Sequence, residues 1–138
     1  MVGPYILLSE VGTGSFGAVH LALSSTSKRF YAVKVMSRAF TRKNVRQSAV
    51  FKAANGRAML AVQDLREIAI MKKLNHPNIV RLHGLFDDEE NDAFYLVMEY
   101  MPHGVVLDCS RLSGARPLSE ERARAVFSDA LAGLAYLH

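Results

Sequence analysis

The chain has 138 residues, half of them hydrophobic, with a formal net charge of +4 and one cysteine, Cys109. That length predicts a single domain with a buried core, one cysteine excludes an internal disulfide, and no apolar run approaches the roughly 18 to 20 residues that cross a bilayer. With no charged-then-apolar leader at the start, the expectation is a globular protein of a reducing, cytoplasmic compartment with no membrane partner.

The elements read in order from the start. "YILLSEV" (5–11) and "AVHLAL" (18–23) are apolar runs on either side of "GTGSFG" (12–17), which predicts a hairpin. "SSTSK" is turn chemistry, and the aromatic and β-branched "FYAVKVM" (30–36) predicts a third strand. Its period of two places Ala32 and Lys34 on one face and Tyr31, Val33 and Val35 on the other.

Residues 37–58 lack a sustained period and read as an insert. It holds Arg38, Arg42, Lys43, Arg46, Lys52 and Arg57 and no acid, whereas Asp87, Asp88, Glu89, Glu90 and Asp92 crowd another short stretch. Because the positive charge falls in one loop, a nucleic-acid partner is not expected.

Leu60, Leu65, Ile68, Met71 and Leu74 recur at helical spacing, predicting a helix over about 59–74 that "NHPN" stops, since Pro77 lacks an N–H and disfavours helical geometry before it. "IVRLHGLF" (79–86) and "AFYLVMEYM" (93–101) predict two further strands around the acidic turn. Ser119 is placed to cap a last helix, with Glu120 and Glu121 in its first turn and an apolar stripe of Val126, Phe127, Ala130, Leu131, Leu134 and Leu137. The five histidines show no metal-ligand spacing, so no metal site is assigned; His76 is expected to serve the turn before the fourth strand.

The glycine-rich stretch is either a bare hairpin turn or a phosphate loop. A dinucleotide-binding turn needs a helix next, where this chain has an alternating strand, and a Walker loop needs Lys then Ser/Thr after its last glycine, where it has Ala18 and Val19. What remains is a glycine-rich hairpin whose backbone N–H groups face phosphate because no Cβ blocks the approach.

Here the sequence resembles the eukaryotic protein kinase family, on Gly12, Gly14, Gly17 and Val19 of the loop, Lys34 of "AVK", Glu67 ten residues before Pro77, "HPNIV" and "LVMEY", all in the family's order. The resemblance implies an α+β fold: a kinase N-lobe of five antiparallel strands and one regulatory helix over 1–100, then the hinge and the start of a helical C-lobe over 101–138. It implies that Gly12, Thr13, Gly14, Ser15, Phe16 and Gly17 surround the phosphates of ATP, and that Lys34 pairs with Glu67. Val19 and Ala32 would cover the adenine, Met98 would be the gatekeeper, and the backbone of Glu99 and Met101 would bind the adenine edge. Met71 and Leu82 resemble the upper half of the apolar spine that links the lobes.

Within the family the likeness is to calcium/calmodulin-dependent protein kinase kinases and their plant-type relatives. It rests on the basic insert, on "LFDDEENDAFYLVMEY" and on "PLSEERARAVFSDALAGLAYLH". The resemblance implies transfer of the ATP γ-phosphate to Ser or Thr of a protein substrate, another kinase among the candidates. Calmodulin is admitted as a partner without an evident segment for it. Nothing in 1–138 matches H-R-D or D-F-G. The base and the Mg²⁺ ligands are therefore expected beyond residue 138, and this stretch is expected to be inactive by itself. The alternative is a non-catalytic, nucleotide-binding or partner-binding kinase fragment.

Overall fold

The computed structural model describes residues 1–14, 17–37, 68–106 and 117–138. Ser15, Phe16, Glu67, Cys109, all of the insert beyond residue 37 and the first part of the helix expected over 59–74 lie outside those residues. The chain divides into two units. One comprises residues 1–74 and 81–100 and the other residues 75–80 and 101–138.

The first unit carries the antiparallel sheet that the sequence predicts. Its strands are β1 (Tyr5–Gly14), β2 (Gly17–Ser24), β3 (Phe30–Ser37), β4 (Leu82–Asp88) and β5 (Ala93–Glu99), in the order β1-β2-β3-β5-β4. β4 starts three residues later than the apolar run suggested, because the Ile79 N–H closes a turn on the His76 carbonyl at 3.1 Å. It then continues through the acidic Asp87 and Asp88, which the register with β5 keeps in the ladder.

Residues opposite one another in an antiparallel pair share a face, so the register sorts the core into two layers. Val33, Val97, Tyr95, Ala93 and Ala22 form one, with Val2 from the chain start packed on it. Leu96, Phe94 and Leu82 form the other, joined by Ile68 and Met71 of the helical turn at 68–71. Both faces are therefore covered, which agrees with the mixed apolar composition of β3 and β5.

Turns hold the layers in register. Ser24 is buried, and its hydroxyl accepts the Ser27 N–H at 3.1 Å and lies 3.0 Å from the Thr26 hydroxyl. Between β4 and β5 the Asn91 side chain donates to Asp88 at 2.8 Å, and the N–H groups of Asn91 and Glu90 donate to its other oxygen. Those bonds, the side-chain one foremost, hold the Asp88 carboxyl below its ordinary range. Gly3, at φ 53°, passes so close under Phe86 that a Cβ would sit 2.5 Å from the ring.

The second unit contains one long helix, α1 (Glu120–Leu137), capped as expected by Ser119, whose side chain accepts the Arg122 N–H at 3.3 Å. The expected apolar stripe is not the face that packs on residues 75–80. Phe127 is 64% exposed and Leu131, Leu134 and Leu137 are about as open, while Gly133 is buried against Asn78. Glycine allows that approach, since a Cβ at residue 133 would stand 3.1 Å from the Asn78 carbonyl oxygen. One turn on, the Tyr136 hydroxyl accepts the Asn75 N–H at 3.2 Å and its ring lies 5.0 Å from that of His76. As expected, His76 serves the turn, its Nδ1 accepting the Asn78 N–H.

Tyr136→Phe removes one acceptor and is expected to cost about 1 kcal/mol or less. The Asn75 amide should exchange faster while the Val33 and Val97 amides do not, as read by hydrogen exchange and NMR. In Gly133→Leu the side chain has no room, and the melting midpoint should fall well beyond that of Tyr136→Phe.

Candidate functional site

The glycine hairpin closes on the pair Gly14 and Gly17, with Thr13 opposite Ala18 and Gly12 opposite Val19. β1 reaches this pairing through two irregularities, between Leu7 and Glu10 and between Glu10 and Gly12, which increase the local twist. Two of the glycines serve different ends. Gly17 has φ 137°, and a Cβ there would collide with the Val35 carbonyl oxygen of β3, so the fold itself demands glycine. Gly12 has an ordinary φ and nothing within 4 Å of where a Cβ would be. The packing of the described residues does not require glycine at 12, and its bare Cα leaves room for a close approach.

β2, β3 and β5 carry that open hairpin into two rows of side chains on one face. Val19, Lys34 and Leu96 form one row, and Leu21, Ala32 and Met98 form the next, with Leu82 beyond Met98. Ala32 and Lys34 share this face and Val33 is fully buried in the opposite layer, as the alternation of "FYAVKVM" predicts. Lys34 is half-buried. The helical turn at 68–71 packs by Ile68 and Met71 on the same face, in the cluster of Leu82, Phe94 and Leu96 with Met98 at its margin. Leu21, opposite Ala32, belongs with these residues and was missed in the sequence. Extending the period of two from Val19 would have found it.

After Met98, β5 ends at Glu99 and the chain runs on through Met101. The Glu99 N–H already donates to the Arg81 carbonyl at 3.0 Å, so that N–H is not open to a ligand. The Met101 side chain is exposed, and its carbonyl accepts the Gly104 N–H at 3.2 Å, Gly104 taking φ 67°. Ser15, Phe16 and Glu67, all singled out in the sequence, are outside the described residues. Gly14 is placed only through its pairing with Gly17. Among the described residues no three His, Cys, Asp or Glu side chains are grouped to hold a metal ion, and no helix is long and apolar enough to cross a membrane.

Known proteins are similar to this chain in sequence and fold. Residues 5–138 match the family described as "Protein kinase domain". A calcium/calmodulin-dependent protein kinase kinase of Caenorhabditis elegans is 36% identical over 97% of this chain and 26% of its own length. The serine/threonine-protein kinase GRIK2 of Arabidopsis thaliana is 40% identical over 99% of this chain and 31% of its own. The crystal structure of Rad53 in complex with AMP-PNP superposes with a TM-score of 0.70 at 25% identity, covering 98% of this chain and 30% of that one. The chain thus spans under a third of the length of each of these proteins.

The two glycines should separate experimentally. Gly17→Ala is expected to lower the melting midpoint, since strain and collision with backbone together exceed the ~0.5 kcal/mol of an ordinary surface change. Gly12→Ala should leave the midpoint unchanged or slightly raised, because it only stiffens the unfolded chain. Calorimetry of both variants beside the unaltered chain checks this; equal losses would show that Gly12 is a packing residue.

Proposed function

The chain belongs to the protein kinase domain family, and from that premise we propose that residues 1–138 are the ATP-binding part of a serine/threonine protein kinase. In this reading residues 1–100 form the N-lobe, and 101–138 the hinge and the start of the C-lobe. The observation that carries it is the face on which Val19, Ala32, Lys34 and Met98 stand in two adjoining rows below a hairpin whose Gly12 is open.

The roles follow from the chemistry of each group. Backbone N–H groups of the loop at Gly12, Thr13, Gly14, Ser15, Phe16 and Gly17 surround the phosphates. Lys34 supplies a compact positive charge to them, and Glu67 holds its ammonium in place; Ile68, the next residue, is buried on the face that carries Lys34. Val19 and Ala32 sandwich the adenine from one side, with Leu21 beside Ala32 and Met98 closing the depth of the pocket. The Glu99 carbonyl accepts from the adenine amino group, its N–H being engaged with the Arg81 carbonyl, and the Met101 N–H donates to the ring. ATP supplies the γ-phosphoryl group, and the chain's own part is to orient it and offset its charge.

The substrate is read as a protein, on the printed names of the relatives, and the similarity to a calcium/calmodulin-dependent protein kinase kinase makes another kinase the favoured class. The Mg²⁺ that accompanies ATP would be held by its phosphates and by residues outside this stretch, which contains neither H-R-D nor D-F-G.

Two outcomes test the proposal. By isothermal titration, an ATP analogue with Mg²⁺ should bind the chain, and Lys34→Met should weaken it about 10- to 100-fold, the effect of a charge-assisted contact worth about 1.5 to 3 kcal/mol. Gly12→Val should weaken it comparably at unchanged melting midpoint. Incubated with labelled ATP and a protein kinase substrate, residues 1–138 alone should transfer no phosphate above the Lys34→Met background. Absence of nucleotide binding in a folded chain would remove the proposal, and transfer would show that a base and metal ligands lie within this stretch.

A further inference from the structure

A second cluster of chemistry-bearing side chains lies on the face of the sheet away from Lys34, where β3 begins and β5 ends. Tyr31 stands opposite Glu99, and the Glu99 N–H donates to the Arg81 carbonyl at 3.0 Å. The His83 ring, two residues after Arg81, meets the Tyr31 ring edge-on, with centroids 5.0 Å apart and planes at 85°. Arg29, two residues before Tyr31, is held by its carbonyl, which accepts the Ser24 N–H at 3.0 Å. Backbone bonds thus hold Arg29 and Arg81, and the Tyr31 ring contact holds His83, around one corner whose single carboxylate among the described residues is Glu99. All four side chains are exposed, and neither arginine forms an ion pair among the described residues.

The corner is also lined by rings. Tyr31 meets Tyr5 at 5.1 Å and 78°, and Tyr5 meets Phe86 at 5.8 Å and 70°, so His83 ends a run of four rings joined by three edge-to-face contacts. The Ser27 hydroxyl lies 3.4 Å from that of Tyr31. Partial burial, followed by Arg81 and Arg29, holds His83 below its ordinary value against the pull of Glu99. Near neutral pH the corner therefore carries two fixed positive charges against one negative, and an uncharged imidazole that an added anion would help to protonate.

We propose that this corner binds a phosphorylated side chain on a peptide segment, with Arg29 and Arg81 taking the phosphate and the Tyr31 and His83 rings lining the residue that bears it. A phosphate monoester carries a charge of about −1.5 to −2 at pH 7 and accepts the paired N–H groups of guanidinium forks. It therefore uses both arginines, where one carboxylate leaves charge over. A peptide is favoured over a bare anion because the rings offer apolar area that a free ion does not cover. The corner shares no side chain with the rows of Val19, Ala32, Lys34 and Met98, so its ligand needs no nucleotide.

The test is an NMR titration of the isotope-labelled chain without nucleotide. The probes are short peptides carrying phosphoserine or phosphotyrosine beside apolar residues, their unphosphorylated and glutamate counterparts, and inorganic phosphate. The phosphopeptides should shift the His83 and Tyr31 signals and raise the midpoint of the His83 titration. Arg29→Gln with Arg81→Gln should weaken binding at least tenfold while the Val33 and Val97 signals stay in place. Unmoved His83 and Tyr31 signals, or shifts that persist in the double variant, would overturn the site. Equal binding of the glutamate or unphosphorylated peptide would overturn the phosphate, and equal binding of inorganic phosphate would overturn the peptide.

Discussion

The alternation of β3 is the constraint on which the rest of this structure depends. Val33 is fully buried between Ala93, Tyr95, Val97 and Ala22, while its neighbours Ala32 and Lys34 stand on the other face. A slip of one residue would drive the Lys34 ammonium into that apolar layer and bring Val33 out. An unpaired ammonium costs several kcal/mol to bury, and a valine loses about 1.5 to 3 kcal/mol by leaving the core. The register is thereby locked, and with it the rows that join Val19 to Lys34 and Leu96, and Leu21 to Ala32 and Met98.

Packing that fixes the sheet also decides what each face can do. The layer around Val33 is roofed by the chain's own start, through Val2 and the glycine that lets the chain pass under Phe86. The other face is covered at its β4 end by Ile68 and Met71, while the exposed hairpin residues Gly12 and Thr13 stand at its β1 end. The same division explains why the two loop glycines differ. Gly17 lies where β2 meets the Val35 carbonyl and answers to the fold, whereas a Cβ at Gly12 would meet none of the described residues.

Much of this was legible in the sequence because strands and caps act locally. The period of two in "FYAVKVM" gave the faces of Ala32, Lys34 and Val33, and Ser119 followed by two glutamates gave the start of α1. What escaped reading depended on partners distant in the chain. The start of β4 is set by a turn that closes on His76, and the engaged N–H of Glu99 by a carbonyl eighteen residues earlier in the sequence. The contact that α1 does make was not read for a physical reason: it rests on the absence of a side chain at Gly133 and on the hydroxyl of Tyr136, neither of which adds to an apolar stripe. The ring contacts among Tyr5, Tyr31, His83 and Phe86 join residues from three strands and leave no mark in any single segment.

The central claim is that one face of the sheet, and not the other, meets the nucleotide. Methyl NMR of the labelled chain during titration with an ATP analogue and Mg²⁺ tests it directly, because alternate residues of the same strands report on opposite faces. The methyl signals of Val19, Leu21, Ala32 and Met98 should move together with one saturation midpoint, while those of Ala22, Val33 and Val97 remain in place. Movement of Val33 and Val97 in step with Ala32, or of the inner layer alone, would contradict the account.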